Sequence, residues 1–426
     1  MRDSLSLRGS ALVALLLISA GTAAAGCSSS SNNGTPTTPC GGILVDRFKE
    51  LTIVDDGVVA DARSSNNADG AWSFRNVVEN MAPTGTDPGN FVLSWFTEWR
   101  ALVQVNGFNL NESIAPQRDQ MDPLIVCPWA ERTASNKCTA DCTNVDWQST
   151  CTVQPPKLDL AVAPFKLLAI VNRMDLRGQP QISKYGEARL VFGLTNGSAD
   201  DPSSPMMPMT LIFEFDLPTT TPSVEDWANK WHALGSIANY DETFRTSLQA
   251  ITDSFVKRGG NPSAPNGSWL GQARSNESVT NWVWQLREFT IGTDGQMHDH
   301  TVRNTPAQSF NSSPVLGQFI TENAAGFANN TVLVPDSMLG GSANQLQYRW
   351  GDFPGLDPNA LKAFAASTCN GCHSEGINPS LDTVFHISPF ENGTAKVSTF
   401  LNNPQDPTHD ELANRTKSLQ AALCGQ

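Results

Sequence analysis

The sequence predicts an α+β protein in two parts: a large mixed domain over residues 43–343, then a small, mainly helical domain over residues 344–426. Three observations lead there. Apolar runs of strand length stand at 165–171, 188–194 and 209–215, whereas helical periodicity marks 91–105, 223–257 and 410–423. A chain of 426 residues buries enough surface for more than one compact unit. Near the C-terminus a short capped helix runs into a Cys, Gly and His cluster that breaks the preceding pattern.

The first 26 residues carry Arg2 and Arg8, then the apolar run Ala11 to Ala20, then the small residues Ala23, Ala24, Ala25 and Gly26 before Cys27. Such a run is too short to span a bilayer, so residues 1–26 are expected to be an export signal peptide and are set apart from the fold. Small residues before a Cys resemble the lipoprotein box of bacterial signal peptides, which implies lipid on Cys27. Ala24 stands where that box usually has Leu, and plain cleavage after Ala25 is the alternative. Residues 28–39, SSSSNNGTPTTP, are too polar to fold, so 27–42 is expected to be a flexible tether from a membrane surface.

The net charge is −14, and removal of Arg2, Asp3 and Arg8 with the signal takes away one positive charge to leave −15. With no run of Lys or Arg, nucleic-acid binding is excluded. An acidic surface keeps a protein soluble, and it also steers a basic redox partner.

Along the mature chain, residues 43–60 read as one or two strands. Phe91, Trp95, Trp99 and Leu102 or Val103 recur on one helical face and belong to a core. Ser223, with Asp226 three residues on, opens the first of two helices, and the second runs from about Asp241. Thr293-Asp294-Gly295 turns a strand at 282–289 into a return strand at 297–302. His298 and His300 share a face of that strand as half of a metal site. With no further ligand in reach, a solvated hairpin is the simpler reading. Asp61, Asn66, Asn67 and Asp69 lack calcium-loop spacing and read as a turn. A helix is expected at 318–327 and the domain boundary near Ala343. The last helix, 410–423, is expected to be capped by Thr408.

The chemistry concentrates at Cys369-Asn370-Gly371-Cys372-His373. Cys-x-x-Cys-His is the spacing that holds a c-type haem: two thiols reach the two vinyl groups of one porphyrin, and the adjacent imidazole meets the iron. Asp357 caps a helix over 357–368 that leads into the motif, and Gly371 lets the backbone turn beneath a flat macrocycle. All nine Met precede Cys369, so a Met on the far side of the iron would have to fold back from the central domain. His386, between Phe385 and Ile387 and 13 residues beyond His373, is the expected distal ligand, with a buried hydrogen-bonded His as the alternative. His409 reads as a loop residue. A structural disulfide or a zinc half-site is the competing reading of the two cysteines.

The remaining cysteines fit an exported protein. Of 9 Cys, Cys27 carries lipid and Cys369 and Cys372 carry haem, leaving Cys40, Cys127, Cys138, Cys142, Cys151 and Cys424 as disulfide candidates. Two bridges are expected within the 127–151 cluster, where a zinc site is the alternative, and Cys40 with Cys424 follows by elimination.

The order of a leading helix, Cys-x-x-Cys-His, a loop and a closing helix against the first resembles small cytochromes c. The resemblance implies that 344–426 is a cytochrome-c-like haem domain. The chain also resembles a group of large, uncharacterised bacterial envelope lipoproteins with a single haem-c-like motif near the C-terminus. The residues that carry this are Thr368-Cys369-Asn370-Gly371-Cys372-His373 and Phe385-His386-Ile387, with FKLLAIVNRMDLR at 165–177, GEARLVFG at 186–193 and WANKWHALGS at 227–236.

The expectation is therefore a lipid-anchored protein of the bacterial cell envelope, at the outer membrane or periplasmic face. It binds one covalent haem c and passes single electrons to a redox partner protein. No nucleophile elbow, zinc-protease helix, phosphate loop or dinucleotide fingerprint points to an enzyme. The alternative is a structural or ligand-binding envelope lipoprotein in which Cys369 and Cys372 form a disulfide.

Overall fold

The computed structural model describes residues 42–105, 114–118, 120–132, 157–179, 185–219, 223–278, 284–329, 331–344, 350–351, 353–373, 384–391, 394–406 and 410–425. Helices and sheet are both present in quantity, which places the protein in the α+β class.

The expected strand runs pair into a nine-stranded antiparallel sheet. Its strands β1 (Thr52–Ile53), β2 (Phe165–Arg173), β3 (Glu187–Thr195), β4 (Met206–Asp216) and β5 (Leu270–Glu277) lie side by side in chain order. Past β5 the sheet divides. Strands β6 (Gln285–Leu286) and β7 (Glu288–Ile291) both pair with β5; β7 carries β8 (Met297–His300), and β6 carries β9 (Ala343–Asn344). The turn at 293–295 joins β7 to β8 as the sequence predicts.

Residues 43–60 depart from their expected strands. The Asp46 carboxylate accepts from the N–H groups of Phe48 and Lys49, and Asp55 accepts from that of Gly57. These caps wind the chain into helical turns at Arg47–Leu51 and Asp56–Val59, leaving only β1 extended between them.

Strand register sorts the side chains onto two faces. Ile170, Leu190, Phe213, Ala273 and Phe289 stand opposite one another on successive strands and share one face. Helices α1 (Phe74–Met81) and α2 (Pro88–Arg100) cover it, with Ser73 and Asp87 as their caps. Helix α2 starts three residues earlier than the apolar stripe suggests, because the Asp87 carboxylate accepts from Asn90 N–H and Pro88 fits the first turn. Trp95 stacks on Trp99 at 5.8 Å and meets Phe289 at 5.3 Å. Helices α3 (Val224–Gly235) and α4 (Glu242–Val256) bury Trp227, Trp231, Phe244 and Phe255 in the same core, and Ser223 and Asp226 form the expected capping box.

The other face is polar and also buried. Arg189 stands opposite Glu214, which stands opposite Gln272; Ile212 opposes Arg274, which opposes Glu288. Each charge is paired: Arg189 with Glu187 at 2.7 Å and Glu214 at 3.0 Å, Arg274 with Glu288 at 2.7 Å, and Arg303 with Glu187 at 3.3 Å. A two-stranded hairpin, β10 (Ile387–Glu391) and β11 (Thr394–Val397), lies over this face, with Ile387 and Ala395 against Leu168, Val171, Val191 and Ile212.

Along the chain from β8 to that hairpin come α5 (Pro314–Glu322), α6 (Ala324–Ala328), α7 (Pro358–Ser367) and the single turn α8 (Cys369–Cys372). A second cluster joins Leu316, Ile320 and Phe327 to Trp350 and Phe364, on both sides of Ala343. The closing helix α9 (Glu411–Leu423) finds its partners in α3 and the 174–176 turn rather than in α7. Its Leu412, Leu419 and Ala422 belong to the main core. Its cap is Asp410, which accepts from Ala413 N–H at 3.0 Å; Thr408 and His409 lie outside the described residues. No helix among the described residues is long and apolar enough to cross a membrane.

The buried carboxyls give the polar face a signature in pH. Burial raises Asp216 from 3.8 to about 6, and Glu187 adds to the rise. Burial pushes Glu187 up as well, but Arg189, Arg303 and Arg274 outweigh it and hold Glu187 down at about 2. A carboxyl with a raised folded pKa binds its proton more tightly folded than unfolded, so Asp216 contributes a gain in stability as pH falls through about 6 towards 3.8. Glu187 contributes a loss as pH falls from 4.5 towards about 2. Asp216→Asn is therefore expected to raise the Tm at pH 7 and to shrink the Tm difference between pH 7 and pH 5. Thermal melts of both proteins at the two pH values check this.

Candidate functional site

The motif forms where α7 hands over to α8. Asp357 caps α7 by accepting from Asn359 N–H, with Pro358 in the first turn, as the sequence predicts. Thr368 then breaks α7 in extended geometry and caps α8 by accepting from Gly371 N–H at 3.2 Å, while Trp350 Nε1 donates to the same hydroxyl at 3.1 Å. Cys369, Asn370, Gly371 and Cys372 are all buried in that one turn. A Cβ on Gly371 would fall 2.0 Å from the Ala365 carbonyl oxygen, so close packing of the turn on α7 sets the need for glycine here.

Four side chains converge on the turn. The His373 ring stacks on Trp284 at 4.6 Å and 13°. His386 stands at 4.3 Å and 59° from the His373 ring, and Phe400 meets His386 edge-on at 4.5 Å. His386 Nε2 lies 4.0 Å from Cys372 Sγ. His373 Nδ1 is 3.1 Å from the Val384 carbonyl oxygen. A carbonyl only accepts, so Nδ1 carries the proton and Nε2 keeps the lone pair, the tautomer that a metal requires.

The polar face of the sheet sets the electrostatics. Burial holds His386 well below its ordinary pKa, and His373, Arg415, Arg173 and Arg189 push it further the same way. His386 keeps a thin exposed edge yet stays neutral. Burial pushes the Cys369 thiol up; Arg274 and Arg303 pull against it, and Glu288 adds to the rise. Cys369 N–H donates to Thr305 Oγ1 at 2.9 Å, and its Sγ faces the Arg303 carbonyl oxygen at 3.9 Å.

The cysteines correct two expectations. Cys369 is a thiol, while Cys372 is disulfide-bonded, so the Cys369–Cys372 disulfide of the alternative reading does not form. The Cys369 sulfur is turned towards the Arg303 backbone instead. Cys127, a disulfide candidate, keeps its thiol, because α2 and the turn at 127–131 bury it in the main core with Trp129. Cys424 is disulfide-bonded. Cys27, Cys40, Cys138, Cys142 and Cys151 lie outside the described residues, as do the expected tether and signal.

The donor types fit haem c: two cysteines and one imidazole in the required spacing, a second imidazole, held neutral, beside the first, and the aromatic rings of Trp284 and Phe400 against the two imidazoles. The packing is that of a closed motif. The His373 and His386 ring centres, 4.3 Å apart, are in direct contact, and Cys372 is in a disulfide, so holding a macrocycle would need the two rings to part and the Cys372 sulfur to be free.

Among the described residues no group of three or more His, Cys, Asp or Glu side chains is arranged to hold a bare metal ion. His298 binds Glu98 at 2.7 Å and Asp294 at 3.0 Å, and His300 Nδ1 meets the Thr301 carbonyl oxygen at 3.0 Å. Both belong to a hydrogen-bonded hairpin. Comparison with protein-family models, with curated proteins and with solved structures finds nothing that matches this chain.

Sequence reasoning missed Trp284, Val384 and Arg303, which touch the motif, Phe400, which packs on His386, and Arg274 and Glu288, whose charges act on Cys369. Gly371→Ala is expected to destabilise the fold by about 1–3 kcal/mol through overpacking against Ala365. Urea unfolding of the variant against the native chain measures it.

Proposed function

We propose that this protein is an exported c-type cytochrome that binds one haem c covalently and passes single electrons at the bacterial cell envelope. The observation that carries the reading is the Cys369-to-His373 turn, with His373 Nδ1 held by the Val384 carbonyl and a second neutral imidazole, His386, at 4.3 Å. Cys369 and Cys372 would take the vinyl groups as thioethers, His373 would be the proximal ligand and His386 the distal one. When bound, haem supplies one-electron redox chemistry.

The chain's own residues do the rest. The Val384 carbonyl fixes the His373 tautomer, and burial beside Arg415, Arg173 and Arg189 keeps His386 unprotonated and so able to ligate. Trp284 stacks on His373 and Phe400 packs edge-on against His386, which fixes the orientation of the two rings. We further propose that lipid on Cys27 and the 27–42 tether hold the domain at the membrane and that a redox partner protein docks there.

Co-expression with a cytochrome maturation system, followed by a reduced pyridine-haemochrome spectrum, tests the reading. The native chain is expected to show a covalent haem c band and Cys372→Ala to lose the ordinary two-thioether form; a native chain without haem despite good export overturns it. His386→Ala is expected to leave haem attached but open the iron, so that the reduced variant binds carbon monoxide and the native protein does not. Carbon monoxide difference spectra decide the point. Loss of radiolabelled fatty acid in Cys27→Ala checks the anchor.

A further inference from the structure

Under the C-terminal end of α2 the otherwise apolar face of the sheet carries a second buried charge cluster. Arg287 lies between β6 and β7, two residues before Phe289, and strand alternation turns it to the face that α2 covers. Its side chain is 0% exposed, and its Nη1 donates to the Trp99 carbonyl at 2.7 Å and to the two Asp299 oxygens at 3.1 and 3.2 Å. Asp299 stands opposite Phe289 in the register of β7 and β8. Beside this pair, Arg118 binds Glu277 at 3.1 Å. Ser275 links the two: its hydroxyl donates to Glu277 and accepts from Arg287 N–H at 3.0 Å.

Every side-chain bond of Arg287 thus runs through one nitrogen. Its Nε and Nη2 have no acceptor among the described residues, and neither has Arg118 Nη2. In a guanidinium, Nε–H and Nη2–H point the same way along one edge, the fork that takes both oxygens of a carboxylate. Buried donors without an acceptor are unfavourable, and here two of them share that edge. The charge balance also favours an anion. Burial raises Asp299 from 3.8 to about 7, with Arg287 and Arg118 pulling against it and Glu98 adding to the rise. Near neutral pH it therefore offsets only part of the guanidinium charge. The like charge of Arg118 acts on Arg287 through space.

We propose that the Nε and Nη2 edge of Arg287, with Arg118 as the neighbouring cation, is a binding site for one small planar oxyanion of the carboxylate class. Such an anion accepts from both N–H groups at once and sets a negative charge beside two cations. A halide has a single centre and cannot span the fork with two oxygens, so the site favours the carboxylate. It is independent of the haem reading. Arg287 and Glu288 alternate to opposite faces, and it is Glu288 whose charge acts on Cys369.

Separate titrations of the isotope-labelled, full-length mature chain with sodium formate and with sodium chloride test this, followed in the arginine Nε–H region of the NMR spectrum. One cross-peak, absent from Arg287→Lys, is expected to shift or be replaced saturably as formate is added, with chloride weaker by at least about tenfold. Three results overturn the proposal: no response of that cross-peak, a response that stays linear in formate, or chloride binding within about tenfold of formate. Should Arg287→Lys not fold, a crystal structure of the native chain grown in formate decides. A planar anion within hydrogen-bond distance of Arg287 Nε and Nη2 upholds the site, whereas water or a protein acceptor on that edge overturns it.

Discussion

The structure depends on one constraint: the antiparallel sheet is covered on both faces, yet one of those faces is lined with charge. A buried ion left without its partner costs about 3–5 kcal/mol. Arg189, Glu187, Glu214, Arg274, Glu288 and Arg303 therefore have to stand in alternation across the strands, each against an opposite sign. Strand register supplies that alternation, because residues two apart on β3 meet residues two apart on β4 and β5. The hairpin of β10 and β11 covers the apolar part of the same face, through Ile387 and Ala395.

That layer explains the state of the motif above it. Burial makes the protonated form of His386 unfavourable, and the charges of His373, Arg415, Arg173 and Arg189 add to the effect. A neutral imidazole is a ligand, while a charged one is not. Cys369 sits over the other end of the same layer, where Arg274 and Arg303 draw its thiol towards ionisation and burial with Glu288 opposes them. Charges of the ionic sheet face thus bear on both Cys369 and His386.

Much of the fold was legible because its signals are local. Continuous apolar runs marked β2, β3 and β4, and the Ser223 capping box and Asp357 cap marked their helices within a residue or two. Residues 43–60 were misread because side-chain caps at Asp46 and Asp55 outcompete the β-branched run between them. The site was half legible. Cys369, Cys372 and His373 stand out by spacing and His386 by its apolar neighbours, and the structure brings the two imidazoles together. Trp284 is not recognisable, since nothing in a single Trp tells that it will stack on a His 89 residues later. Nor is the polar layer: Glu187 and Arg189 alternate visibly in GEARLVFG, but their partners on β5 and beyond are fixed only by register. The oxidation states of Cys369 and Cys372 depend on which sulfurs meet in space, and counting cysteines does not reach that.

The placement of α9 carries the last consequence. A closing helix packed on α7 would have made the motif part of a small domain able to swing away as a body. Here α9 buries Leu412 and Leu419 in the main core, Arg47 pairs with Asp410 at 2.7 Å, and Gln420 donates to the Ile43 carbonyl at 2.8 Å. The segment that carries His386 is therefore fastened on its C-terminal side to the first turns of the folded chain. On its N-terminal side α8 is fixed by Thr305, Trp350 and the Ala365 backbone. The turn that carries Cys369 and Cys372 and the segment that follows His386 are thus each anchored to the body of the protein, beside the same ionic layer.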